Sequence, residues 1–108
     1  MKLYLKSKAK NIDAIGEYNL TTGSFIVLKG SIISDTVVSS PTFRSTRSIL
    51  KAREGVVKNN VLLEDKTFSS SSTAANFVRG ASSNGLTCWK DKNGKTLKAI
   101  INEDKCNG

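Results

Sequence analysis

The stretch "SSNGLTCWKDKNGK", residues 82–95, holds the chain's only tryptophan between two Asn-Gly pairs, with lysines at 90, 92 and 95. "DKNG" is a strong turn signal, and the pattern from Leu86 to Lys90 predicts a strand running into it. Successive side chains of a strand take opposite faces, so Leu86 and Cys88 would share one face and Thr87 and Trp89 the other. Trp89 then has two possible fates. Beneath a flanking helix, its indole N–H must find a carbonyl. Exposed, with Lys90, Lys92 and Lys95 around it, it would form a stacking plate beside a phosphate-attracting rim, worth roughly 1–3 kcal/mol per stacked base.

The rest of the chain bears on that choice. Its 108 residues suit one hydrophobic core, so residues 1–108 read as a single domain. With 38% hydrophobic and 24% charged residues, it has the composition of a globular fold and not of a disordered tail. There is no long apolar run and no secretory h-region, so the expected location is cytoplasmic, with no membrane partner. Seventeen Lys and Arg against nine Asp and Glu give +8, spread broadly with its maximum in the middle of the chain. Such a field attracts polyanions, of which nucleic acid is the commonest in a cytoplasm, although the same charge can serve solubility alone. Cys88 and Cys106 fit neither a CxxC motif nor a zinc site, and there is no histidine; no metal and no cofactor are expected. Cys88 reads as a small core residue and Cys106 as an idle thiol.

Outward from the tryptophan, "KLYLKS" alternates Leu3 and Leu5 against Tyr4 and Lys6, the period of a strand with one buried face. "AIGEYNL" and "SFIVLKGS" flank "TTG" and predict a hairpin. In its second arm Phe25 and Val27 oppose Ile26 and Leu28, which suggests a central strand apolar on both faces. Ser40-Pro41 and Gly55 bracket a helix in which Phe43, Ile49, Leu50 and the stem of Arg53 share one side and Arg44, Arg47 and Lys51 another. Asn59-Asn60 turns the chain, with extended pieces at Val61–Leu63 and Thr67–Phe68 around Glu64-Asp65. A serine cap, the apolar face Ala74, Phe77 and Val78, and a left-handed Gly80 predict a second helix. "KTLKAIINE" closes the fold as a helix or strand. The sum is an α+β fold: a small, mainly antiparallel sheet from residues near 2–7, 14–20, 24–31 and 86–90, with helices near 42–54 and 71–79 packed on it.

An enzyme is the least supported class, because there is no imidazole base and the carboxylates are scattered over turns. "LKGS" could offer free backbone N–H groups to a phosphate, but it leads into no P-loop or dinucleotide pattern, and a strand-ending turn is the ordinary reading. Arg44, Arg47 and Lys51 on one side of a helix repel each other unless an anion accepts them; the ordinary reading is a solvated face with Glu54 beside Lys51. The residues nominated for nucleic-acid contact are therefore Arg44, Arg47 and Lys51 on phosphates, with Trp89, Lys90, Lys92 and Lys95 as a second region. The alternative is a protein-interaction module whose charge serves only solubility.

The order "YLKSKAKNIDAIGEY", "FIVLKGS", "SILKAREG", "FSSSSTAANFVRG", "SSNGLTCWKDKNGKTL" resembles the bacterial domain-of-unknown-function family 4357 (DUF4357) over nearly the whole chain. One departure is that Leu86 stands where the family often has an aromatic after the first Asn-Gly. That family is commonly attached C-terminally to GIY-YIG nuclease-like regions and is similar to the RAMA domains of restriction systems. The resemblance implies an accessory α+β domain without activity of its own, working with DNA and with a nuclease or modification-enzyme domain in the same or a partner chain.

Overall fold

The computed structural model describes every residue except 10, 36, 38–45, 82 and 108, and the backbone but not the side chains of residues 46 and 104–107. Four antiparallel strands form the main sheet in the order β1 (Lys2–Ser7), β2 (Ile12–Tyr18), β3 (Phe25–Val27), β6 (Lys66–Phe68). Between β3 and β6 the chain makes helix α1 (Thr46–Arg53) and a small hairpin, β4 (Val57–Lys58) with β5 (Val61–Leu62). After the sheet come α2 (Ser71–Arg79), the one-turn α3 (Gly85–Cys88) and α4 (Leu97–Asn107). None of the described helices is long and apolar enough to cross a membrane.

Alternation decides the sheet's two faces. Leu3, Leu5, Ile12, Ala14, Phe25 and Val27 point inward and are buried. Lys2, Lys6, Asp13, Glu17 and Thr67 point outward into solvent, with Tyr4, Ile15 and Ile26 half-buried among them. The register places Lys2 opposite Glu17, Tyr4 opposite Ile15 and Lys6 opposite Asp13. The β2–β3 connection is the expected hairpin: Asn19 Oδ1 accepts from the Thr21 and Thr22 N–H groups, and Gly23 donates to Asn19 O at 2.8 Å. β3 is central, as its two apolar faces suggest, but it is shorter than residues 24–31. After Val27 the chain bends at Lys29-Gly30, and Ser31–Ile33 then bridges Asp13 of β2 to Val61 of β5. Asn59 and Asn60, both at positive φ (53° and 66°), make the tight turn of that second hairpin.

Helix α2 seals the inner face. Ser70 Oγ accepts from Thr73 N at 3.2 Å as N-cap, and Gly80, at φ 67°, ends the helix with its N–H on Asn76 O. Its Ala74, Ala75, Phe77 and Val78 are buried, with Phe77 5.0 Å from Phe68 of β6. Helix α1 lies against it through Ile49 and Ala52, and its Arg53 reaches across to the α2 C-terminus. The guanidinium donates to Phe77 O (2.6 and 3.1 Å), Val78 O (3.3 Å), Ser34 O (2.9 Å) and Ser34 Oγ (3.0 Å). Carbonyls at a helix end lack intrahelical donors and carry partial negative charge, so a planar cation with several N–H groups suits them. Burial lowers the pKa of Arg53 from its ordinary value.

Two expectations from the sequence are corrected. Residues 86–90 are not the fourth strand, a place taken by β6. Asn84 caps a helical turn instead, its Oδ1 accepting from Leu86 N and its carbonyl from Thr87 and Cys88 N. That local cap gives the backbone a helical alternative that wins over the alternation. Leu50 does not join the apolar side of α1 either. It is 54% exposed with Arg47, Lys51 and Glu54, the i, i+3, i+4, i+7 set facing away from Ile49, Ala52 and Arg53. The predicted helical residues 42–45, with Phe43 and Arg44, lie outside the described residues.

Gly85 is where α3 meets α2 most closely: a Cβ there would run into the Ser71 carbonyl and the Ser72 nitrogen, backbone that cannot yield. Gly85→Ala is expected to cost about 2–3 kcal/mol and to lower Tm by about 10–20 °C; a thermal melt within a few degrees of the parent would contradict this contact. Arg53→Met keeps the apolar stem but strips the donors from Phe77, Val78 and Ser34. It is expected to cost about 2–4 kcal/mol as a shift of the urea midpoint at constant m, with Arg53→Lys recovering less than half.

Candidate functional site

After α3 the chain extends through Trp89, whose backbone (φ −84°, ψ 130°) ends the helix. Trp89 is 0% exposed. Its ring lies 4.4 Å from that of Phe25, and Nε1 donates to Ser71 O at 3.1 Å. The stacking plate considered for Trp89 is thus ruled out, because the whole indole is core and its one polar atom is satisfied. Cys88 is half-buried, with Sγ 3.7 Å from Arg79 Nη1; the side chain of Cys106 lies outside the described residues.

The buried indole fixes the path of the next residues. Lys90 exchanges two backbone hydrogen bonds with Tyr4 (2.7 and 3.0 Å), so the chain seals the middle of the open edge of β1. It then turns over "DKNG" as predicted and returns at Thr96, which bridges Lys90. Asp91 organises this turn: its Oδ1 accepts from Asn93 N (2.8 Å) and Lys95 N (2.9 Å), and its carbonyl from Gly94 N (3.0 Å). Thr96 Oγ1 takes Ala99 N at 3.3 Å, and α4 begins.

Between the turn and β1 lies an open groove of about 450 Å³ lined by Tyr4, Lys6, Lys90, Asp91, Lys92 and Gly94. Lys6, Lys90 and Lys92 are exposed, Tyr4 is half-buried, and Lys6 Nζ sits 5.6 Å from the centroid of the Tyr4 ring. Of the lining residues the one carboxylate, Asp91, has an oxygen committed to its own turn, so the lining carries three cations against one partly engaged anion, with exposed Asp13 across the sheet from Lys6. Such an arrangement can attract an anion through its ammonium groups and offer a ring face to a planar group.

The nominated residues therefore divide. Lys90 and Lys92 line the groove. Lys95 is adjacent, but its ammonium is ion-paired with Glu103 of α4, the one ion pair between described residues. Arg47 and Lys51 line a different surface, on α1 beside Leu50, Glu54 and Val57. Helix α1 packs on α2, which covers the inner face of the sheet, whereas the groove opens at the β1 edge beside the outward-facing Tyr4, so the two basic regions are separate surfaces. Arg44 lies outside the described residues.

Tyr4 and Lys6 were not nominated. The signal was present in "KLYLK", where alternation puts both on the face opposite Leu3 and Leu5, but nothing local says that Lys90 returns beside them. The "LKGS" turn has its ordinary role. Lys29 N donates to Asp65 Oδ1, Gly30 N to Leu62 O and Ser31 N to Leu28 O, so these donors are all engaged. Among the described residues no cluster of three or more His, Cys, Asp or Glu could hold a metal ion.

No curated protein and no solved structure matches the chain. A family model described as a domain of unknown function (DUF4357) matches residues 3–101, from the strand that carries Tyr4 to the apolar residues of α4, and the chain belongs to that family.

Proposed function

We propose that this is a cytoplasmic, non-catalytic accessory domain that binds DNA through the Tyr4 groove and helps to position a partner nuclease or modification enzyme. The observation that carries the reading is the convergence of Lys6, Lys90 and Lys92 from two separate segments around one accessible aromatic ring. Like charges gather at a cost unless an anion rewards the arrangement, and a phosphate backbone does so by releasing its counterions. The net charge of +8 supplies the long-range attraction. Absence of histidine and the commitment of Asp65 and Asp91 to turns support a binding role over acid-base chemistry. Arg47 and Lys51 are a second contact region, weaker because Glu54 shares their face of α1.

The alternative, a protein-docking module with charge for solubility, has one observation in its favour: Leu50 is 54% exposed between Arg47 and Lys51. Salt separates the two. Titrating labelled DNA against ionic strength is expected to give a slope of log Kobs on log salt of about −2 to −3 for the three groove lysines. Lys6→Gln with Lys92→Gln should remove about one unit each, and Arg47→Gln with Lys51→Gln should remove less. A slope near zero, or one indifferent to the groove lysines, would leave the docking reading in possession.

A further inference from the structure

Resting on that nucleic-acid reading of the same groove, we propose that its ligand is single-stranded, with one unpaired base stacked on Tyr4 and the flanking phosphates on Lys6, Lys90 and Lys92. The aromatic of the site is not the buried Trp89 but Tyr4, in the middle of a strand whose backbone is bonded to Lys90 on its outer edge and paired with β2 on the other. Parting a stacked duplex step costs a few kcal/mol, and one half-buried ring has only its own stacking to set against that; a base already unpaired stacks on it without that cost.

The surroundings of Tyr4 distinguish one direction from the other. On the outer sheet face its cross-strand partner is Ile15, half-buried and uncharged, so a base over Tyr4 would also cover apolar surface. On β2, Asp13 stands directly across from Lys6 and Glu17 across from Lys2, flanking Ile15 on the same face; both are exposed and repel a phosphate backbone from β2. Cations therefore lie on the β1 edge and carboxylates on β2. The phosphates run along the edge, and the base points inward onto Tyr4.

The Lys6 contact fits the unliganded state of such a site. An ammonium 5.6 Å from the ring centroid is weakly held at an exposed position, and its flexible stem lets it leave the ring for a phosphate when a base arrives. Ring and cation would then engage the two halves of one nucleotide. Because a single ring is available, the expected stacking contribution is that of one base.

The test uses the full chain, a fluorescently labelled single-stranded DNA oligonucleotide and the same oligonucleotide annealed to its complement, read by anisotropy at fixed salt. Tyr4→Ala is expected to weaken single-strand binding about five- to hundredfold while leaving duplex binding within about twofold, and Tyr4→Phe should behave as the parent. Tyr4→Leu keeps apolar bulk over Ile15; with its melting temperature checked, it reports on stacking without loss of the strand. Single-strand affinity unchanged in Tyr4→Leu, or lost equally for both ligands, overturns the stacking assignment. Lys6→Gln with Lys92→Gln should weaken both ligands. If that double variant weakens neither, the nucleic-acid reading falls first and this inference with it; if it weakens both while Tyr4→Leu matches the parent, only the single-strand assignment is lost.

Discussion

The contact between Trp89 and its surroundings ties together parts of the molecule that are far apart in sequence. Its ring meets Phe25 in the centre of the sheet, its Nε1 holds Ser71 O in the first turn of α2, and its carbonyl accepts Leu97 N at the start of α4. Losing a fully buried tryptophan costs about 3–5 kcal/mol, a large share of the net stability of a small domain. The functional consequence is positional. With Trp89 fixed, Lys90 can only emerge against Tyr4, and the next loop is delivered to the β1 edge. The groove is thus built by the core and does not depend on an ordered loop alone.

Helix α2 is held in the same manner at both ends. At its start, Gly85 packs against the Ser71 and Ser72 backbone and Trp89 takes the Ser71 carbonyl. At its end, Arg53 and the Ser34 N–H take carbonyls of the last turn. The two clamps use groups that fit their ends. A single neutral N–H suffices for one carbonyl in the core, whereas the negative end of the helix dipole receives a delocalised cation. This arrangement also separates two kinds of basic residue. Arg53 is spent on structure, while Arg47 and Lys51, one turn away on the other side of α1, face outward.

What could be read from the sequence was what local chemistry determines. The α2 boundaries at 71–79, its serine cap and glycine end, the β2–β3 hairpin, the Asn59-Asn60 turn and the "DKNG" turn each arise from side chains acting on their own neighbourhood. Failures came where two local signals compete or where the fold brings distant segments together. Leu86 to Lys90 alternates like a strand, but Asn84 offers the backbone a helical turn and Gly85 allows that turn to sit against α2. Leu50 is apolar by type and outward by angle, and angle prevailed because Ile49, Ala52 and Arg53 already filled the inward side. In the candidate site, Lys90 and Lys92 were legible as exposed cations beside a turn. Tyr4 and Lys6 were legible as outward-facing, but their union with the loop rests on a backbone bridge between Tyr4 and Lys90, for which no pattern in either segment codes.

The placement of charge gives the strongest constraint on how such a domain can work. A globule of +8 with cations scattered evenly would attract polyanions without orienting them. Here Lys8, Lys29, Lys58 and Lys98 are also exposed, but Lys6, Lys90 and Lys92 gather at the β1 edge and Arg47 and Lys51 on α1, while Asp13 and Glu17 occupy the outer sheet face beside the first group. On the proposed reading, these acidic residues would favour a bound strand running along the β1 edge over one crossing the sheet. The α1 face then remains accessible, bearing an exposed leucine between its two cations. On the same reading, a nucleic-acid strand at the β1 edge and a partner protein on α1 would occupy different surfaces, so neither would exclude the other.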